Sequence, residues 1–406
     1  MKHKVLWTIF PAFVALISSY AQEKREEDSI VMSPSFTTES KRLFQCKPGP
    51  WGDLEYYYTY LEAPDEIMEY VNTPSQKTVW NLPDKDIAGL RYFLTVSGVS
   101  KVDQEKIFQN SLPFQLGPPF RLYPPSEVLI KLSPMTRAAL SRELRKWPAN
   151  RFHRSPVVIE SGNVKEWFKG SKLSSQTVAL IERLSYPMAN TMAFSDIPLV
   201  LSQIKSDRED RLLLKALTRT RSLILRLRVT KDSDFARLKD YWTAGNKNKD
   251  ILPFMESIAI STELDHIDAA HLLPPLARKY MNTYPSFGLG VDGTFPDSLW
   301  TSLNFFNHLP ENGFADLETA MRYVEGNFVR NNLPFQFGDL LMVRDSVTGK
   351  FIHSCIFIAD DIIYTKNGRS LMSPFMLIKL NDLIARYGGS GKLNLEILRK
   401  PESPDR

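Results

Sequence analysis

The stretch KFIHSCIFIADDIIYTKNG, residues 350–368, decides how the C-terminal part of this 406-residue chain folds. Apolar residues dominate its segments FIHSCIFIA and IIYTK, and the polar pair DD lies between them. Two apolar runs joined by a short polar connection are typical of an antiparallel hairpin. A third apolar run, FGDLLMVRD at 337–345, precedes them, so the sequence predicts an antiparallel sheet with three short strands here.

Helical patterns lie upstream of the predicted sheet. The spacing of apolar residues predicts one helix from Ser298 to Asn307 and another in DLETAMRYVEGNF at 316–328. Pro285 and the glycine-rich SFGLGVDGTFP that follows it indicate a loop, and we place a domain boundary between 270 and 292. Residues 281–400 are therefore predicted to form an α+β domain, with helices followed by an antiparallel sheet.

The preceding residues, 43–280, are predicted to form a mainly helical domain with few strands. Helical spacing with capping residues occurs in GDLEYYYTYLEAPDEIMEYV (52–71), DKDIAGLRYFLTVSGV (84–99), SPMTRAALSRELRKWP (133–148) and SDREDRLLLKALTRTR (206–221). The clearest strand pattern is SLILRLRVT at 222–230, in which one face is apolar and the other carries arginines. The predicted fold class of the whole chain is α+β.

The N-terminus has the features of an export signal. Residues 1–21 join two lysines to an apolar stretch and a small-residue ending, as a secretory signal peptide does, and the polar residues 22–42 are predicted to be a flexible leader. We expect a periplasmic or secreted protein without a stable membrane anchor, since no later stretch reaches the about 20 apolar residues that span a bilayer. The net charge of +5, with acids interspersed, does not predict nucleic-acid binding.

Ser298 and His353 are the residues whose positions suggest chemistry. A nucleophile at the first turn of a helix benefits from the local positive potential, and a histidine on a nearby strand could take its proton. A third polar group, Asn367 or alternatively Asp361, could hold the imidazole in one tautomer. The same positions also fit a structural interpretation, in which Ser298 caps its helix and His353 is a hydrogen-bonded sheet residue.

The remaining candidate groups predict no further site. Cys355 shares a strand face with His353, a geometry that suits packing better than proton transfer. Pairing of Cys46 with Cys355 in a disulfide is left open. The histidines of LDHIDAAH, residues 264–271, are five positions apart and do not share a helix face, so no metal site is predicted there. No motif in the chain predicts a cofactor.

In this order, PDSLWTSLNFF, GDLLMVRD and IHSCIFIADDIIYTKNG resemble the catalytic core of the NlpC-type, papain-like cysteine peptidase superfamily of bacteria, over about residues 290–390. In that superfamily a cysteine begins a helix, GDL opens the sheet, a histidine starts the next strand and a polar residue follows on a third strand. The resemblance implies Ser298 at the nucleophile position, His353 as the base and Asn367 as the orienting residue. This chain departs from the family at the nucleophile, where Ser298 stands in place of cysteine.

The resemblance implies a hydrolase that cleaves amide bonds of peptidoglycan stem peptides, with backbone amides at the helix start stabilising the oxyanion. A serine hydroxyl needs far more help from its base than a thiol, which supplies some thiolate at neutral pH. Two interpretations therefore stand: an amide hydrolase that uses Ser298, or an inactive pseudoenzyme whose cleft is a binding or scaffold module. In both, the expected partner is peptidoglycan or other cell-envelope material.

Overall fold

The computed structural model describes residues 35–38, 43–111, 120–188, 191–261, 263–289, 293–387 and 393–401. The predicted signal peptide, and all of the predicted leader except 35–38, lie outside these residues. The fold is mixed α+β with antiparallel sheets, which is the class that the sequence predicts. Among the described residues, no helix combines the length and the apolar character that crossing a membrane requires.

The secondary structure consists of short elements throughout the described residues. The strands are β1 Ser35–Thr38, β2 Phe44–Gln45, β3 Asp53–Glu62, β4 Trp80–Asn81, β5 Arg121–Leu122, β6 Val157–Ile159, β7 Tyr186–Met188, β8 Thr191–Phe194, β9 Thr220–Arg228, β10 His266–Asp268, β11 Val329–Asn331, β12 Leu340–Asp345, β13 Phe351–Ala359, β14 Ile362–Lys366, β15 Phe375–Lys379 and β16 Leu393–Arg399. The α-helices are α1 Asp65–Met68, α2 Ile87–Val96, α3 Lys101–Ser111, α4 Ser126–Lys131, α5 Pro134–Leu144, α6 Arg151–Arg154, α7 Val164–Trp167, α8 Ser175–Leu184, α9 Ile197–Gln203, α10 Asp207–Leu217, α11 Phe235–Thr243, α12 Leu252–Ile260, α13 Pro275–Tyr280, α14 Ser298–Leu303, α15 Leu317–Asn327 and α16 Leu380–Tyr387. Short 3₁₀ helices occupy Lys249–Ile251, Ala269–Leu272 and Asn312–Ala315.

The chain divides into two compact units. The helical unit comprises Met68–Thr218, and the two-sheet unit comprises the described parts of Ser18–Ile67 and Arg219–Arg406. The boundary predicted at 270–292 falls inside the two-sheet unit and is not where the chain divides. The physical reason is a non-local contact: β3 pairs with β9, so the chain before the helical unit and the chain after it share one hydrophobic core.

The helical unit contains three of the predicted helices, two of them with side-chain caps. Asp86 accepts a hydrogen bond from the backbone N–H of Gly89 at 2.7 Å and begins α2, while Ser133 accepts from Thr136 N–H at 3.1 Å and begins α5. Helix α10 is also confirmed, although it ends at Leu217. Apolar spacing therefore sufficed to predict these three helices, with local capping as an added signal for α2 and α5.

The first sheet of the two-sheet unit has the order β1-β3-β9-β10, with β2 also paired to β3. Strands β3 and β9 pair antiparallel from Asp53↔Arg228 to Leu61↔Thr220. On β9, Leu223, Leu225 and Leu227 are each 1% exposed, whereas Arg228 is exposed. The alternation read from the sequence is therefore confirmed for this strand.

Two predictions near the N-terminus are wrong. Residues 53–62 form β3 and not a helix, because tyrosine and threonine favour strands and the long ladder with β9 outweighs the ambiguous apolar spacing. Residues 35–38, placed in a flexible leader, form β1, whose backbone pairs with β3 from Ser35↔Glu62 to Thr38↔Thr59. Such pairing satisfies backbone groups at the edge of the sheet whatever the polarity of the segment.

The second sheet is antiparallel and six-stranded, in the order β11-β16-β12-β13-β14-β15. The three predicted strands are confirmed as β12, β13 and β14. Asp360 and Asp361 form the hairpin connection, and Asp360 has a φ of 54°. Helices α14 and α15 lie where the sequence predicts helices, although α14 ends at Leu303. The helix-then-sheet order predicted for this part of the chain is therefore present.

The GDL motif at the start of β12 has a structural explanation. Gly338 has a φ of 86°, and a Cβ added there would lie 2.3 Å from the ring of Phe306. The carboxylate of Asp339, which is 1% exposed, accepts hydrogen bonds from Arg399 at 2.6 and 2.7 Å and from the backbone N–H of Gln336 at 2.8 Å. The motif thus fixes a tight turn and joins the start of β12 to the end of β16.

Gly338→Ala tests this explanation, with Gly349→Ala as its matched control. Both glycines have positive φ, and an added Cβ at Gly349 meets open space. Left-handed backbone costs a residue with a Cβ about 1–2 kcal/mol, and overpacking adds about 1–3 kcal/mol at Gly338 alone. The free energy of unfolding, measured by urea denaturation, should therefore fall further for Gly338→Ala. Equal losses in the two variants would contradict a role for the Phe306 contact.

Candidate functional site

Helix α14 is capped by Asp297, and Ser298 is its first residue. One oxygen of the Asp297 carboxylate accepts hydrogen bonds from the backbone N–H groups of Leu299 and Trp300, each at 3.0 Å. The other oxygen accepts from Arg369 Nε at 3.0 Å, and Arg369 also donates to the carbonyl of Ala315 at 2.9 Å. The structural interpretation in which Ser298 caps the helix is therefore wrong, because the stronger acceptor directly before it has that role.

The hydroxyl of Ser298 is directed at the backbone of β13. Its Oγ accepts a hydrogen bond from the N–H of Ser354 at 3.3 Å, and Ser298 is 4% exposed. One turn later, Ser302 Oγ donates to Ser354 Oγ at 3.1 Å. The two serines of α14 thus fasten the helix to a single residue of the sheet.

His353 directly precedes Ser354 on β13 and is 1% exposed. Its Nε2 lies 2.7 Å from Thr365 Oγ1, and its ring packs on Tyr387 with a centroid separation of 4.8 Å. The Thr365 hydroxyl donates to the carbonyl of Ser354 at 3.1 Å. Because a hydroxyl has a single proton, Thr365 must accept from Nε2–H, which leaves Nδ1 as the unprotonated nitrogen of a neutral ring.

Burial keeps His353 neutral. Desolvation, with a smaller contribution from the positive charge of Arg386, lowers the pKa of His353 from 6.5 to about 3. A general base works best when its pKa lies near the operating pH, so this imidazole is poorly suited to take a proton from a serine hydroxyl. Ser298 and His353 are not joined by a hydrogen bond within the described part of the chain; each bonds to another group.

The predicted orienting residue is replaced by another. Within the described residues, neither amide atom of Asn367 has a hydrogen-bond partner, although both atoms are buried. Asp361, the alternative, forms an ion pair with Lys379 on β15. Thr365 is the group that binds the imidazole, and sequence reasoning missed it; the period-2 alternation of β14 places it two residues before Asn367 and was the available signal.

The helix start and the loop after β14 form a dense polar network. Lys366 is fully buried, and its Nζ donates to the carbonyl oxygens of Gly368 at 2.6 Å and Ser370 at 2.9 Å. Desolvation lowers the pKa of Lys366 to about 7, although the negative charge of Asp297 opposes the shift. The two amides at the start of α14 that bind Asp297 already have their hydrogen bonds, so they are not available to an oxyanion.

The two cysteines are not bonded to each other. Both Cys46 and Cys355 are free thiols, so the disulfide left open by the sequence is not formed. Cys355 is fully buried on β13, and burial raises the pKa of its thiol. A protonated, inaccessible thiol cannot replace Ser298 as a nucleophile, which agrees with the predicted packing role.

Two histidines outside the candidate site, His266 and His308, lie close to carboxylates. His266 lies 3.2 Å from Glu55 and 3.1 Å from Asp265, and His308 lies 3.4 Å from Asp250. Within the described ranges, no group of three or more histidine, cysteine, aspartate or glutamate side chains is arranged to hold a metal ion.

Comparisons of the chain with protein-family models, with curated proteins and with solved structures found no match.

The low pKa of His353 predicts a stability loss in acid. As the pH falls, the histidine of the unfolded chain, with its ordinary pKa of 6.5, gains a proton before the buried one does. The contribution of the neutral His353 to the free energy of unfolding is therefore complete above pH 6.5 and is lost as the pH falls towards 3. The effect is at most about 1.4 kcal/mol for each pH unit in that window. The stability advantage of the natural protein over His353→Gln, measured by chemical denaturation, should therefore shrink as the pH falls from neutral.

The matched control is His308→Gln, since the His308 side chain is 69% exposed. Its stability difference from the natural protein should change far less over the same pH range. A His353→Gln difference that is independent of pH would contradict the buried neutral imidazole.

Proposed function

We propose that this is an exported cell-envelope protein whose two-sheet unit contains, within residues 281–400, an NlpC-type papain-like core that does not hydrolyse its substrate. The domain acts instead as a binding or scaffold module for peptidoglycan or other amide-containing envelope material. Support comes from the order of parts: a helix that begins at Ser298, the GDL turn, a strand with His353 near its start, and a hairpin to β14. The N-terminal signal read from the sequence supports the location.

One observation carries the assignment of inactivity. The polar atoms at the nucleophile and base positions are hydrogen-bonded to other groups of the fold. Ser298 Oγ accepts from the Ser354 N–H, and His353 Nε2 binds Thr365 Oγ1. Both residues are almost fully buried, and the pKa of His353 is too low for efficient proton transfer at neutral pH. A serine nucleophile needs a stronger base than a thiol does, and this site offers a weaker one.

The backbone amides at the start of α14 are also less able to stabilise the transition state of an acyl transfer. An oxyanion hole requires preorganised donors that are free to bind the developing charge. At the start of α14, the amides of Leu299 and Trp300 are bound to the Asp297 carboxylate, whose negative charge would in addition repel an oxyanion. The start of α14 therefore binds the Asp297 carboxylate in the place where an oxyanion would have to bind.

One observation favours the alternative, an active serine amidase. The hydrogen bond to Thr365 leaves the lone pair of His353 on Nδ1, and a triad needs its orienting contact on one ring nitrogen and its lone pair on the other. The inactive assignment outweighs this observation, because the correct tautomer does not compensate for the low pKa of the ring.

The assay is release of soluble fragments from purified peptidoglycan by the natural protein, by Ser298→Ala and by Ser298→Cys, with sedimentation of each protein on the same material. We expect neither natural protein nor Ser298→Ala to release fragments above background, and both to bind the insoluble material equally. Ser298→Ala should lose about 1–3 kcal/mol of stability, because the buried Ser354 N–H is left without its acceptor.

Fragment release by the natural protein that disappears in Ser298→Ala would refute the proposal and establish a serine amidase. Release by Ser298→Cys alone would show that the thiol is the only missing part of an otherwise competent site. Absence of binding in all three proteins would remove peptidoglycan as the partner.

A further inference from the structure

The positive charge of the chain is concentrated in the helical unit. Met68–Thr218 contains 21 lysine and arginine residues and 14 aspartate and glutamate residues, a net +7, whereas the whole chain carries only +5. The charge that looks interspersed along the full sequence is therefore unevenly divided between the two compact units. An excess of this size on one unit attracts anionic partners over roughly a Debye length, about 8–10 Å.

Within this unit, residues 142–154 form the densest basic segment, with five lysine or arginine residues and one acid. We call its four exposed arginines, Arg142, Arg145, Arg151 and Arg154, the basic surface. The single acid, Glu143, binds Lys146 at 2.7 Å and lies 3.8 Å from Lys85. Within the described residues, none of the four arginines forms an ion pair with a carboxylate.

A buried asparagine determines how the two halves of the basic surface meet. Asn150 is 3% exposed, and its amide donates to the carbonyls of Asn81 at 2.8 Å and Leu144 at 2.9 Å, while its oxygen accepts from the Asn81 backbone N–H at 2.8 Å. The bond to Leu144 fixes the turn between α5 and α6. The arginines at the end of α5 and those on α6 therefore lie on two consecutive helices joined by a fixed turn.

The helix dipole explains only part of this pattern. Arg142 and Arg145 lie at the C-terminal end of α5, where a cation is stabilised. Arg151 is the first residue of α6, where the dipole does not favour a cation, and Arg154 ends the same four-residue helix. Arg151 is therefore placed without the benefit that the C-terminal end of a helix gives to a cation.

We propose that the basic surface docks on a lipid bilayer that carries anionic phospholipid headgroups. Guanidinium groups bind phosphate through paired N–H donors, and each basic residue near an anionic bilayer strengthens association about fivefold, equivalent to about 1 kcal/mol. Four free arginines can therefore hold the protein reversibly at the membrane surface. This goes beyond the proposed function, since it concerns the helical unit and not the Ser298 site.

The surroundings favour lipid over nucleic acid. Single-stranded nucleic acid is bound by basic grooves in which aromatic rings stack on the bases. The segment contains two aromatic rings, Trp147 and Phe152, and both are only partly exposed. Lys85 Nζ lies 5.5 Å from the centroid of the Trp147 ring. The Trp147 ring already has a cation against it and neither ring is fully exposed, so the segment offers exposed guanidinium groups without a fully exposed aromatic ring for stacking.

The test is co-sedimentation of the full chain with vesicles of phosphatidylcholine alone and of phosphatidylcholine mixed with phosphatidylglycerol. The natural protein should bind only the anionic vesicles, and raising the salt from about 0.05 M to about 0.5 M should release it, because screening shortens the range of the attraction. Replacing all four arginines of the basic surface by glutamine should weaken binding by about 100-fold or more.

The matched control removes the same charge elsewhere in the helical unit, by replacing Lys172, Lys205, Arg208 and Arg211, all exposed, with glutamine. It should retain most of the vesicle binding, and circular dichroism should show both variants folded. Equal loss in the two variants, or no binding to anionic vesicles, would overturn the proposal. Tighter binding to a DNA oligonucleotide than to the anionic vesicles would overturn it in favour of nucleic acid.

Discussion

The two-sheet unit depends on how the backbone of one buried residue, Ser354, is satisfied. The ladder between β13 and β14 runs from Ile356↔Tyr364 to Ala359↔Ile362, so Ser354 lies beyond its end. A buried N–H or carbonyl without a partner costs about 1–3 kcal/mol. Side chains satisfy both groups: Ser298 accepts from the N–H and Thr365 donates to the carbonyl. Ser298 and Thr365 therefore close a gap in the sheet.

This requirement connects the helix, the sheet and the histidine. Thr365 can accept from His353 Nε2 only because its own proton is directed at Ser354, so the tautomer of the ring follows from the backbone. The ring is in turn covered by Tyr387 on α16. Burial of the whole group produces the low pKa of His353, because the charged imidazolium would have to form far from water.

The sequence predicted the elements whose signals are local, and it failed where partners are distant in the chain. Helices α2 and α5 have their capping residues beside them, and β9 has a clear alternation, so these were correct. The strand β3 was predicted as a helix because only its ladder with β9, more than 150 residues away, decides its conformation. The division of the chain was missed for the same reason.

The prediction of Asn367 as the partner of His353 failed for a geometric reason. The pairs Ile356↔Tyr364 and Phe357↔Ile363, continued without a break, would place Asn367 opposite His353. The ladder ends before that point, and the imidazole binds Thr365, which is a diagonal neighbour within reach of a ring. Where paired strands separate depends on what fills the gap, and here that is the start of α14, which local sequence patterns do not encode.

The serine at position 298 also suits this structural role better than a thiol. A hydroxyl oxygen is a good hydrogen-bond acceptor, whereas sulfur accepts weakly and needs a longer contact. The Ser354 N–H has Ser298 Oγ as its acceptor at 3.3 Å, in a place where Ser298 is 4% exposed and water has little access. The serine at this position thus satisfies a buried amide that a thiol would satisfy less well, and it stabilises the contact between α14 and β13.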